Sequence, residues 1–143
     1  MHYLTVQDVL WIHLQIAKKQ GKFSFAKLEE ATNYQYAYGK SQDVVAQASR
    51  FFPGFVTMSP FESANKAVAI VAGAVFLELN GLHFSPKEKD LNKWFDRVME
   101  PSTCREAIEG GTERMTNDHH LTCRDVANSV LTRYESPISK LAE

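Results

Sequence analysis

Between Ala67 and Leu77 the chain reads Ala-Val-Ala-Ile-Val-Ala-Gly-Ala-Val-Phe-Leu, with no polar side chain at any position. A helix with one wet face shows a polar stripe, so a helix without one must be enclosed by other elements. The run is also too short for a bilayer core, which needs about 20 apolar residues. Glu78 and Asn80 close it at once. The expectation is therefore a buried central helix over about Asn65 to Leu79, ended by Asn80-Gly81, with the remaining chain wrapped around it. A length of 143 residues fits one domain, and 44% hydrophobic residues suffice for one core.

The flanking sequence supplies the wrapping helices. Thr5-Val6-Gln7-Asp8 reads as a helix cap, followed by Val6, Val9, Leu10, His13, Ile16 and Ala17 at helical spacing, with Gly21 as the stop. A second helix is expected from near Ser24, through Leu28 and Ala31. Thr32–Lys40, with Tyr34, Tyr36 and Tyr38 alternating, reads as an exposed loop, an edge strand being the alternative. A third helix should start near Ser41–Asp43, carry Val44, Val45, Ala48, Phe51 and Phe52, and break or kink at Pro53-Gly54. Ser85-Pro86-Lys87-Glu88 has the form of a helix start, leading into Leu91, Trp94, Phe95, Val98 and Met99 and ending at Pro101. Thr103–Gly110 predicts a short helix and Thr112–His120 a polar connection. A last helix should run from Thr122 to about Tyr134. Period-2 alternation is scarce, so little or no sheet is expected. The fold class is an all-α bundle, read as one domain over residues 1–143.

Charge narrows the function classes. Sixteen basic residues stand against 17 acidic ones, so neither nucleic acid nor an acidic membrane surface is favoured as a partner. Cys104 and Cys123 do not make a disulfide framework and read as reduced thiols. The N-terminus lacks the pattern of a secretion signal, and a cytoplasmic protein is expected.

The segment that carries chemistry is Ser59-Pro60-Phe61-Glu62-Ser63-Ala64-Asn65-Lys66. It is a polar turn feeding the start of the most buried helix. Ser63 and Ala64 are small enough to let a ligand approach the backbone. The free amides and dipole of the helix start favour an anion, and Lys66 adds a point charge. The plain alternative is that Ser63 caps the helix and Lys66 is solvated. Elsewhere, Asp118-His119-His120 with Cys123 offers metal-ligand residue types, but there is no second pair at zinc spacing, and a solvated loop with a buried thiol is the preferred reading. His13 on an apolar helix face reads as a core histidine, and the three tyrosines as loop packing rather than a partner surface.

Pro60, Phe61, Ala64, Asn65 and Lys66 also stand in the register of a known signature, His-x-Phe-x-(Asp/Glu)-(Gly/Ala)-Asn-(Gly/Lys)-Arg. Tyr3–Leu10 with His13 is similar to the opening helix of the same group, and Phe76-Leu77-Glu78-Leu79-Asn80-Gly81 to the end of its central helix. Over about residues 3–95 the chain resembles the Fic/Doc family, in the branch with Lys after the Asn. Residues 96–143 then form a helical C-terminal extension. The resemblance implies a helical bundle around the central helix and a nucleotide such as ATP held with magnesium. It implies transfer of a phosphate or nucleotidyl group to a protein hydroxyl, and as partners an antitoxin or a target protein.

Three positions depart from the signature. Ser59 stands where the family has its catalytic His, Ser63 where it has the magnesium carboxylate, and Ala67 where it has the phosphate-contacting Arg. A serine hydroxyl does not titrate near neutral pH, and losing a general base costs about 10²–10⁴ in rate. Losing the metal removes charge neutralisation at the phosphates. Glu62 is one residue from the lost carboxylate, about 100° away around a regular helix. The resemblance with these departures implies a relative that binds an anion or nucleotide around Ser63, Ala64, Asn65 and Lys66 without catalysis at Ser59 and without a metal site. A Doc-like transferase using substitute groups is the alternative.

Overall fold

The structure, a computed structural model, describes residues 1–87, 89–115 and 122–142. Its axis is α4 (Asn65–Leu79), in which every residue from Ala67 to Leu77 is buried. Four helices and a strand pack around it: α1 (Val6–Ala17), α3 (Val44–Met58), α7 (Cys123–Arg133), α8 (Glu135–Ala142) and β1 (Leu82–Phe84). Outside them lie α2 (Phe25–Asn33), which packs on α3, and α5 (Leu91–Met99) and α6 (Cys104–Gly110), which pack on α3 and on each other. The fold is mostly helical, as the enclosed apolar run requires. Among the described residues no helix is long and apolar enough to cross a membrane.

Gly73 fixes how closely α3 approaches α4. A Cβ there would lie 2.0 Å from Cε1 of Phe52. Phe52 in turn meets Trp94 and Phe95 of α5 edge-on, with ring centroids 5.6 and 5.9 Å away. The cost of glycine in a helix interior is offset here by a ring packed directly on the backbone.

Three expectations are corrected. The helix expected to break or kink at Pro53-Gly54 continues as one helix to Met58, so the break is the part corrected. Proline removes the donor that would reach the Ser49 carbonyl four residues earlier, and the Cys104 thiol takes that place, with Sγ 3.7 Å from Ser49 O. The Tyr34 ring packs against Gly54, and buried Phe51, Phe52 and Phe55 anchor the helix on both sides of the proline.

The helix expected to start at Ser85 starts at Leu91, capped by Asp90, whose carboxylate accepts from Asn92 N at 2.9 Å. Ser85 instead extends a strand, donating its N–H to Gly111 O at 2.8 Å. Phe84 is fully buried and meets Trp94 and Tyr134 edge-on, which holds this segment extended. That strand belongs to the little sheet expected: β1 pairs antiparallel with β2 (Thr112–Arg114), Leu82 opposite Arg114. Finally, the helix from Thr122 ends near Tyr134 as expected but is not the last, being followed by α8, whose Pro137 lies in the first turn, where a missing N–H costs nothing.

The tyrosine loop forms no strand among the described residues. Tyr34 packs under the Arg50 guanidinium, Tyr36 lies 4.2 Å from the Tyr3 ring, and Tyr38 is fully exposed. Asp118, His119 and His120 lie outside the described residues. Cys123 is half-buried and its thiol is pushed up to about 12, first by burial and then by Asp8. That is the opposite of what a metal-binding thiolate needs.

Candidate functional site

The site is built on the loop that joins α3 to α4. Ser59 closes α3 in the left-handed region, at φ 46°, and its N–H donates to Phe55 O at 3.1 Å. Its hydroxyl donates to Val56 O at 2.7 Å. The next residues lie along the segment before α2. Ser24 N donates to Pro60 O at 2.9 Å, Glu62 N donates to Lys22 O at 3.3 Å, and Phe23 and Phe61 form an antiparallel bridge. Asn65 completes the brace. Its Nδ2 donates to Phe61 O at 2.8 Å, and Phe61 N donates back to Oδ1 at 3.0 Å.

This bracing turns the chain into α4 through Ala64, at φ 65° and ψ 19°. Ala64 is the N-cap residue, and a methyl group cannot accept a hydrogen bond. Ser63 does not take its place, so no side chain caps the helix. The first backbone bond at this end runs from Val68 N to Ala64 O. The amides of Asn65, Lys66 and Ala67 precede that bond at the positive end of the dipole, with no side-chain cap and with Ala67 fully buried.

Beside this end lies a cavity of about 450 Å³. Its walls come from the C-terminal half of α1, the segment before α2, the braced loop and α8. Glu62, Ser63 and Ala64 line it together with Lys18, Lys19 and Lys22, and Glu62 and Lys22 adjoin through their backbones. His13 also lines it. The His13 ring stacks on Phe61, with centroids 3.9 Å apart and planes 6° from parallel, and the residue is 5% exposed. Burial holds its pKa below the ordinary imidazole range, opposed by a contact with the Ser63 backbone. Its Nε2 is buried and has no protein partner.

The residues expected to share one surface are thus divided. Ser63 and Ala64 line the cavity. Ser59, Asn65 and Lys66 are not among its lining residues. Asn65 is occupied as the loop brace, and Ser59 is turned onto Val56. The Lys66 ammonium donates to Asn92 Oδ1 at 2.6 Å and lies 5.9 Å from the Phe95 ring centre, so it points toward α5. Asn92 itself borders a different hollow, of about 550 Å³, between the start of α5 and α8. Ala67 is fully buried, so an arginine at this position would have to displace core side chains.

The sequence reading missed Lys18, Lys19 and Lys22. Their signal was present: three lysines follow an apolar helix around Gly21. Basic residues near a helix end are ordinarily read as complements to its dipole, and nothing local shows that the loop before α4 folds back beside them. No family model, curated protein or solved structure matches this chain.

Proposed function

We propose that this chain is a Fic/Doc-type helical bundle that binds a phosphate-bearing ligand of nucleotide size at the start of α4 and does not carry out group transfer. The observation that carries the reading is the uncapped helix start opening beside Lys18, Lys19 and Lys22. Open amides, a helix dipole and ammonium groups are what an oxyanion needs. A volume of about 450 Å³ is of the size that takes a small-molecule ligand.

Catalysis is poorly served. The Ser59 hydroxyl is held by Val56 O and offers no base. Ser63 offers no anionic metal ligand, and buried Ala67 offers no charge. Magnesium is usually held by one or two carboxylates together with substrate phosphates, and here the position of the family's metal carboxylate is Ser63, with Glu62 the one carboxylate among a lining that also holds Lys18, Lys19 and Lys22. On this reading the protein acts in the cytoplasm through a protein partner, an antitoxin or a target, with the ligand setting the bound form.

One observation favours the second reading, a working transferase. His13 carries a bare ring nitrogen beside the same helix start and is the residue that could replace the lost base. Incubating a bacterial lysate with the protein and ATP labelled at the α or the γ phosphate separates the two. The binding reading expects no labelled band. A band that disappears with His13→Gln would establish the transferase.

A further inference from the structure

His13 lines the cavity while almost wholly buried. Its ring plane is set by Phe61, and Phe61 is itself held at both backbone polar atoms by Asn65. The imidazole and the uncapped start of α4 are therefore fixed by the same loop. The Ser63 backbone supports the protonated ring, as a facing carbonyl does, while Nε2 is without partner. In the neutral ring this assigns the proton to Nδ1 and leaves Nε2 as a bare acceptor. A bare acceptor repels an anion, and a protonated one donates to it.

We propose that His13 is itself a ligand of the anion bound at the start of α4, taking up one proton at Nε2 as the anion enters. This rests on the anion-binding reading above and adds the residue and the proton that accompany the ligand. The proton comes from solvent, and no bond other than N–H forms. The charged groups facing the cavity are Lys18 and Lys19 at the end of α1, Lys22 before α2 and Glu62 in the loop before α4. α8 contributes Ser139 and Ala142, and the α4 side contributes Ser63 and Ala64, none of which titrates. Burial keeps the empty ring neutral, and a neighbouring anion reverses that preference. The lysines hold the anion at any pH near neutrality, and His13 makes the hold depend on pH.

Sulfate is the probe, because its own charge does not change near neutrality. Binding is measured by calorimetry at about pH 6 and about pH 8, the range in which histidine switches. The protonation of His13 is followed in parallel through the ring nitrogens of ¹⁵N-histidine-labelled protein. The expected result is binding about 10-fold tighter at the lower pH, the effect of one pKa unit on one linked proton. Proton uptake on binding and a sulfate-dependent change at Nε2 should accompany it. His13→Gln should bind sulfate with no such pH dependence. The ring-nitrogen measurement needs no variant, so a poorly folding His13→Gln does not remove the test. Sulfate bound equally at both pH values, with His13 left neutral, would overturn the proposal and leave the anion cavity standing. No sulfate binding at either pH would overturn both.

Discussion

Asn65 returns both ends of its side-chain amide to the backbone of Phe61, accepting from its N–H at 3.0 Å and donating to its carbonyl at 2.8 Å. This closed ring stiffens the loop that leads into the uncapped start of α4 and carries the ring on which His13 stacks. Asn65→Ala removes both bonds and leaves two half-buried backbone groups unpaired. A loss of about 1–3 kcal/mol is expected. Asn65→Asp keeps the acceptor but loses the donor, and should fall between. Urea unfolding of the three proteins checks the order.

Gly73→Ala tests the packing of the central helix. Alanine is the better helix former by about 1 kcal/mol, so a surface site would gain stability. Here the new methyl would meet the Phe52 ring at 2.0 Å, and Phe52 is blocked behind by Trp94 and Phe95. A net loss of at least about 1–3 kcal/mol is expected from overpacking. A thermal midpoint equal to or above the parent's would contradict this placement of α3 against α4.

His13 makes stability depend on pH. Burial puts its folded-state pKa below that of the unfolded chain, so the unfolded chain binds the proton more readily. Its contribution is complete above the unfolded value of about 6.5. It falls as pH drops below that value, and levels off below the depressed folded value. Denaturant midpoints measured across this range should decline toward acid in the parent and decline less in His13→Gln. Added sulfate should recover part of the acid loss in the parent.

The central helix was legible because an all-apolar run has one outcome in water, and its bounds at Asn65 and Leu79 follow from its polar ends. The caps at Thr5, Ser24, Asp43 and Thr122 were legible for the same local reason. Ser85-Pro86 misled because its cap pattern competes with burial of Phe84, a contact made by residues 94 and 134. The break offered at Pro53, beside a kink, does not occur because the partner for the freed Ser49 carbonyl is Cys104, 55 residues away. In the site, the helix start and the small residues before it were visible in the chain. Asn65 and Lys66 were read as ligand groups because their polar side chains stand in the motif, and only the folded loop shows them engaged with Phe61 and Asn92. The lysine wall depends on a bridge between Phe23 and Phe61, which no local pattern reveals.

The binding site is tested most directly by calorimetric titration of ATP, with and without magnesium, into the parent, Lys22→Ala and Lys66→Ala. ATP should bind the parent, and magnesium should not strengthen it. Lys22→Ala should weaken binding several-fold, since it removes one charge-assisted contact of roughly 1 kcal/mol. Lys66→Ala should bind as the parent does, because that ammonium lies on Asn92. No binding to the parent, or binding that needs magnesium and is lost with Lys66 rather than Lys22, would contradict a lysine-walled anion site at the start of α4.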